Sequence, residues 1–145
     1  MDINEFEIKV GEIVKRNPKL LALESDKKAD FEMILDIENY YGLKFPEDYV
    51  DFLMRYGGGY FGFVAVFSCD PNGNFYMKNN VSKSWVEEKN FLPFVDLETG
   101  DFIGFVVRNK VCSGEIVIYL HEEDEFSELN RTFFDVILKY GFNAV

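Results

Sequence analysis

Three consecutive glycines, Gly57, Gly58 and Gly59, stand where the hydrophobic pattern of the chain changes period. Before them, Tyr49, Phe52, Leu53 and Tyr56 recur at i, i+3, i+4 and i+7, the spacing of one helix face. Pro46 suits a first helical turn, where a missing N–H costs nothing, and Glu47 and Asp48 suit the positive end of the helix dipole. After the glycines the period is two. Phe61, Phe63, Ala65 and Phe67 alternate with Val64 and Val66, so a strand is expected over Phe61–Cys69, apolar on both faces. Gly57-Gly58-Gly59-Tyr60-Phe61-Gly62 matches the letters of a GxGxxG dinucleotide fingerprint. That chemistry needs a strand before the glycines and a helix after them, so that a pyrophosphate meets a helix N-terminus. Here the order is reversed, and the glycines read as a helix stop that tolerates positive φ.

The rest of the chain extends this frame. Ile3, Phe6, Val10, Ile13 and Val14 form one stripe of a helix over residues 3–16, and Pro18 ends it. Phe31, Ile34, Leu35, Ile37, Glu38 and Tyr41 carry a second helix over 26–41, with Gly42 as its left-handed cap. The third helix is 46–56. Asp70-Pro71-Asn72-Gly73-Asn74 is a turn, and Phe75–Met77 reads as a short strand. Residues 79–90 look polar and irregular around Trp85, the only tryptophan. Leu92–Val95, Phe102–Val107 and Glu115–Leu120 read as strands, the last two joined through a turn at Ser113-Gly114. An acidic loop over 122–128 leads to a final helix over 132–140, with a Thr132/Asp135 capping box and Gly141 as its stop. Helices, then strands, then one helix predict a single α+β domain over 1–145, with a central, mostly antiparallel sheet.

Composition narrows the function. Acids outnumber bases 26 to 15, a net charge of −11, which repels phosphate backbones and favours a basic protein partner. Direct nucleic-acid binding is not expected. The start of the chain has acids where a signal peptide carries bases, and no run approaches a membrane span, so a cytoplasmic protein with no membrane partner is expected. Cys69 and Cys112 stand alone and read as buried, reduced thiols. Asp70-x-Asn72-x-Asn74 begins like a calcium loop, but Phe75 and Val81 occupy positions that an EF-hand gives to glycine and glutamate. His121, the only histidine, precedes four acids and suits a solvated or paired role better than a catalytic triad. No metal site, cofactor or catalytic residue is expected.

One composite motif is more specific than any of its parts. The run Ile34-x-x-Ile37-Glu38-x-x-Tyr41-Gly42-Leu43-x-Phe45-Pro46-Glu47-Asp48-Tyr49-x-x-Phe52-Leu53-x-x-Tyr56-Gly57-Gly58 resembles the signature of the SUKH superfamily, in particular its Smi/Knr-type branch. Phe91-Leu92-Pro93-Phe94, Gly114–Tyr119 and Thr132–Leu138 resemble later family segments, so the likeness covers about residues 30–141. It implies helices packed on a central sheet and no catalysis. Bacterial members are largely immunity proteins that bind and block a cognate toxin domain, frequently a nuclease; fungal members regulate glucan synthesis and cell-wall assembly. The expected function is therefore an immunity-type module that neutralises a basic toxin domain. The alternatives are a regulatory adaptor in cell-wall synthesis and a hydrolase using a carboxylate pair.

A family motif made of core and caps does not say which surface binds. Acids away from the helices concentrate in two turns: Asp96, Glu98 and Asp101 before the strand at Phe102, and Glu122, Glu123, Asp124 and Glu125 after the strand ending at Leu120. If those strands are hairpin partners, both turns lie at one end of the sheet and form a negative rim, with Trp85 beside it as an aromatic anchor.

Overall fold

The computed structural model describes residues 1–21 and 24–144. The elements run α1 (Ile3–Arg16), a 3-10 turn (Pro18–Leu21), α2 (Phe31–Tyr41), α3 (Glu47–Tyr56), β1 (Gly59–Phe61), β2 (Val64–Val66), α4 (Met77–Asn80), α5 (Lys83–Lys89), β3 (Phe91–Asp96), β4 (Phe102–Arg108), β5 (Val111–Leu120), β6 (Glu125–Glu128) and α6 (Phe133–Phe142). The six strands form one sheet in sequential order, and every neighbouring pair is antiparallel. The fold is α+β, with N-terminal helices and a C-terminal helix on the sheet.

One face of the sheet carries the main core. Phe6 and Val10 of α1, Ile34 and Ile37 of α2, Tyr49, Phe52 and Leu53 of α3, and Phe133, Phe134 and Ile137 of α6 are all buried in one cluster with Phe94, Ile103, Phe105 and Ile116 of the sheet. The amphipathic spacing read from α1, α3 and α6 is the cause: each places its apolar stripe on this face.

Three polar side chains of the motif are used inside the fold. Glu38 accepts a 2.7 Å hydrogen bond from the Phe45 N–H, tying α2 to the connector before α3. The Tyr41 hydroxyl donates to the Val81 carbonyl at 2.8 Å, and the Tyr49 hydroxyl to that of Phe67 at 2.7 Å. Burial raises both tyrosine pKa values well above their usual range. Gly42 caps α2 at φ 67°, as its position predicts.

Several local expectations are corrected. The second helix begins at Phe31 rather than near residue 26, because Asp30 supplies the N-cap, accepting from the Met33 N–H at 2.9 Å. Asp26 is instead buried and lies outside any helix. Its carboxylate accepts from the Ser68 hydroxyl at 2.5 Å and the Phe75 N–H at 3.0 Å, and its own N–H donates to Gly58. Phe61–Cys69 is not one strand but the hairpin of β1 and β2, closed by Gly62 and Phe63, with Gly62 at φ 66° where a type II′ turn wants glycine. Phe63 is therefore 67% exposed.

Phe75–Met77 makes only an isolated bridge, Ser68 to Tyr76, before α4. Residues 79–90 are helical for much of their length: Ser82 caps α5, accepting from the Trp85 N–H. The β4–β5 turn lies at Asn109-Lys110, both at positive φ as a type I′ turn requires, and Ser113-Gly114 lies within β5 at a register shift. Glu125–Glu128, expected as loop, is β6. The last helix passes through Gly141 and ends at Asn143, φ 57°. Thr132 donates its hydroxyl to Asp135 at 2.8 Å rather than capping a backbone N–H.

Candidate functional site

The register brings the two acidic turns together. Phe102 at the start of β4 faces Tyr119 near the end of β5, so the turns 97–101 and 121–124 lie at the same end of the sheet. They touch: Asp101 Oδ1 accepts from the His121 N–H at 2.9 Å and lies 2.6 Å from His121 Nδ1. Gly100 is held against the imidazole, where an added Cβ would come within 2.8 Å of the ring. The β3–β4 turn also reaches back to β1, where the Tyr60 hydroxyl donates to Glu98 at 3.0 Å. Asp96 accepts from the Glu98 N–H at 2.7 Å and shapes that turn.

On the other side, Asp124 Oδ1 accepts from the Tyr119 hydroxyl at 2.7 Å and from Lys89 Nζ at 3.1 Å. Asp96, Glu98, Asp101 and Asp124 are thus partly engaged within the fold. Glu122, Glu123 and Glu125 are exposed and hold no partner among the described residues.

Trp85 is half-buried on α5. Its indole packs edge-on against Phe91 and Tyr119, with centroids 5.8 and 5.4 Å away, and lies 6.0 Å from Phe102. These residues belong to a second, smaller cluster on the face of the sheet opposite the helical core. Directly opposed residues share a face, and the pairs Phe102–Tyr119 and Tyr119–Phe126 make one aromatic row across β4, β5 and β6. Phe91 joins it from β3, its ring lying over Gly104, where a Cβ would come within 2.7 Å of it. Sequence reading missed this row. Its signal was present in the alternation of β4 and β5, but which face the helices leave uncovered is a tertiary fact.

His121 titrates above its ordinary value of 6.5, chiefly because it hydrogen bonds Asp101 and then because Asp101, Glu122 and Glu123 are negative. Asp101 is held below its usual range by the same backbone and ring donors. The raised His121 value means that its stabilisation is complete below 6.5 and is lost as pH rises through the folded value. The lowered Asp101 value means that its share is lost as pH falls through its own. The pair spans the pH window between the two. An NMR titration of the imidazole should give a midpoint above 6.5, and Asp101→Asn should bring it back down. A wild-type midpoint at or below 6.5 would contradict the pairing.

Chemistry at other positions is structural in character. The Asp70 carboxylate accepts from the Lys27 N–H at 2.9 Å and the Asn72 N–H at 3.0 Å, an Asx turn with its oxygens already used. Cys69 and Cys112 are unlinked and buried, and burial pushes both thiols to about 12, so neither is a thiolate at neutral pH. Among the described residues no three His, Cys, Asp or Glu side chains converge as a metal ion requires. Glu115 and Glu128 sit together, one lowered and one raised in pKa, but both face solvent, and Arg108 pairs with Glu115 at 2.7 Å. An exposed pair with one member neutralised lacks the enclosed acid that carboxylate hydrolysis needs.

The SUKH_6 family, described as SMI1-KNR4 cell-wall, matches residues 32–137, well over half of the chain. The chain belongs to the SUKH family. The match starts at α2, so it leaves α1 outside, and it takes in Trp85, both acidic turns and the aromatic row. No curated protein matches this SUKH chain. No helix among its described residues is long and apolar enough to cross a membrane.

Proposed function

We propose that this SUKH protein is an immunity-type binding module that captures and neutralises a basic toxin domain. The observation that carries the reading is family membership joined to a net charge of −11 and a rim of acids, three of them unpartnered, at one end of the sheet. Such a module acts by occluding its partner. Complementary charge speeds such an encounter and fixes its orientation. A nuclease domain is the favoured partner, because a surface that binds phosphate backbones is basic.

The test is a search of the neighbouring genes for a toxin-type reading frame, followed by co-expression of its product with this chain. Growth should be restored, and the purified pair should bind. Replacing Glu122, Glu123 and Glu125 with lysine should lower the association rate on the order of tenfold at low salt and flatten its salt dependence. Asp124 is left intact because it holds Lys89 and Tyr119. A chain that neither binds nor protects would remove the immunity reading. The cell-wall wording of the matched family supports a second reading, a regulatory adaptor in wall synthesis. Envelope defects on deletion, without toxin sensitivity, would favour it.

A further inference from the structure

We infer that the outer face of the sheet, along Phe102, Tyr119 and Phe126 with Trp85 and Phe91 beside them, docks an arginine-bearing segment of a protein partner. The inference rests on the reading of the chain as a module that binds a basic protein, and it names the surface and the side chain that surface selects.

The aromatic row carries the argument. Helices α1, α2, α3 and α6 all contribute to the core on the opposite face. Among the described residues of the smaller cluster, Trp85 alone comes from a helix. Phe91 and Tyr119 are themselves buried and Trp85 and Phe102 half-buried, but Phe126, 5.0 Å from both Phe91 and Tyr119, remains 40% exposed and presents the row to solvent. Two shallow cavities flank the row. One, of about 340 Å³, is lined by Lys89 and Arg108 together with Phe91, Val106, Val117 and Phe126; the other, of about 180 Å³, by Ser82, Trp85, Pro93 and Phe102 among others. The exposed Phe126 ring, which lines the first of these hollows, can accept a planar group laid across it.

Charge decides what the occupant is. Glu122, Glu123 and Glu125 stand free on one side of the row, and Glu115 and Glu128 lie on the other together with Arg108, which pairs with Glu115. An anionic lipid or nucleic acid would meet carboxylates on both sides, and the cations there, Lys89 and Arg108, are already paired with Asp124 and Glu115. A second copy would bring −11 against −11 and set the exposed Glu125 and Glu128 of the β6 edge against their own kind. A cation fits, and the chain already holds one of its own there: Lys89, bound to Asp124 beside Tyr119. Arginine fits better than lysine, because a guanidinium stacks on an aromatic face while its edge takes a carboxylate in two parallel hydrogen bonds.

The probe is a capped hexaarginine peptide titrated into the full chain, against capped hexalysine of equal charge. Trp85, as the only tryptophan, reports by fluorescence, and amide NMR shifts map the site. Hexaarginine should bind more tightly than hexalysine, shift the Trp85 emission, and move amides along β4, β5 and β6. Phe126→Ser keeps the net charge and should weaken hexaarginine about twofold to fivefold, the worth of a cation–π contact at an exposed ring. Phe126→Tyr should restore it, which separates a lost contact from a lost fold. Phe31→Ser, at a ring 67% exposed on α2, should change nothing. Equal binding of the two peptides, or a Phe126→Ser chain that binds like the parent, would overturn the inference. A toxin affinity that Phe126→Ser leaves unchanged, with protection intact, would remove this surface and leave the immunity reading standing. A confirmed arginine site without protection would do the reverse.

Discussion

Replacing Phe52 with alanine should destabilise the fold by about 3–5 kcal/mol, the usual cost of truncating a buried aromatic ring. Phe52 is fully buried on α3, where four rings surround it: Phe6 from α1 at 6.1 Å, Tyr56 at 5.2 Å, Phe61 from β1 at 5.1 Å and Phe133 from α6 at 5.7 Å. Those partners come from four separate elements, so they cannot collapse into the space without moving a helix or the β1–β2 hairpin. The cavity term therefore adds to the lost transfer energy. A melting temperature lowered by roughly 10 °C or more is expected for a chain of this size. Phe63→Ala is the matched control: the same atoms are removed from a ring 67% exposed in a hairpin turn, and the effect should stay within about 0.5 kcal/mol. A Phe52→Ala protein that melts like the parent would show that this face of α3 is not core.

Phe52 and Phe63 also show what the sequence makes legible. Both are apolar residues in strongly periodic stretches. The helical period of α3 has a meaning by itself, because a stripe must be buried somewhere. The alternation after Gly59 was misleading, because Gly62 reverses the chain inside it and turns Phe63 out to solvent. A single glycine carries that information, and it reads equally well as part of a longer strand. The short α5 was hidden for a related reason: its start is one serine, Ser82, and its buried face is little more than Val86 with half of Trp85. β6 is exposed at all four positions, so it has no buried face to impose a period of two.

Distance in sequence hid the remainder. Asp26, Ser68 and Asp70 are buried together, and the carboxylate of Asp26 belongs to a hydrogen bond with a hydroxyl 42 residues away. Nothing local distinguishes it from Asp30, the acid that does cap a helix. The acidic rim was accessible because hairpin topology alone relates its two turns. The aromatic row beside it needed two further facts, the register across β4, β5 and β6 and the side from which the helices pack. The family motif supplies neither, since Glu38, Tyr41 and Tyr49 direct their polar atoms to backbone groups inside the fold.

Gly57→Ala should be as damaging as a core truncation, for reasons of backbone rather than of burial. Gly57 follows α3 at φ 90° and ψ −54°, outside the regions open to a residue with a Cβ. A left-handed backbone costs roughly 1–2 kcal/mol in an L-residue even where it is sterically allowed. Space is the second obstacle. A Cβ at Gly57 would lie 2.4 Å from the Asp26 carbonyl oxygen and 2.8 Å from the Lys27 carbonyl carbon, both backbone atoms. They cannot step aside, because the segment is fixed from several directions: Asp26 by Ser68 and Phe75, the Lys27 N–H by Asp70, and the Ala29 N–H by the Leu53 carbonyl. Relief requires either moving residues 26–29 away from the glycines or unwinding the end of α3, and both routes break hydrogen bonds. A loss of about 3 kcal/mol or more is expected, with chemical denaturation as the measure. Gly114→Ala provides the contrast, since that glycine has ordinary φ, lies exposed within β5, and has nothing within 4 Å of an added Cβ. It should be neutral or stabilising by a few tenths of a kcal/mol through the unfolded state. If Gly57→Ala were equally mild, the glycine run would be a simple helix stop, and the close approach of residues 24–27 would contribute little to holding the helices on the sheet.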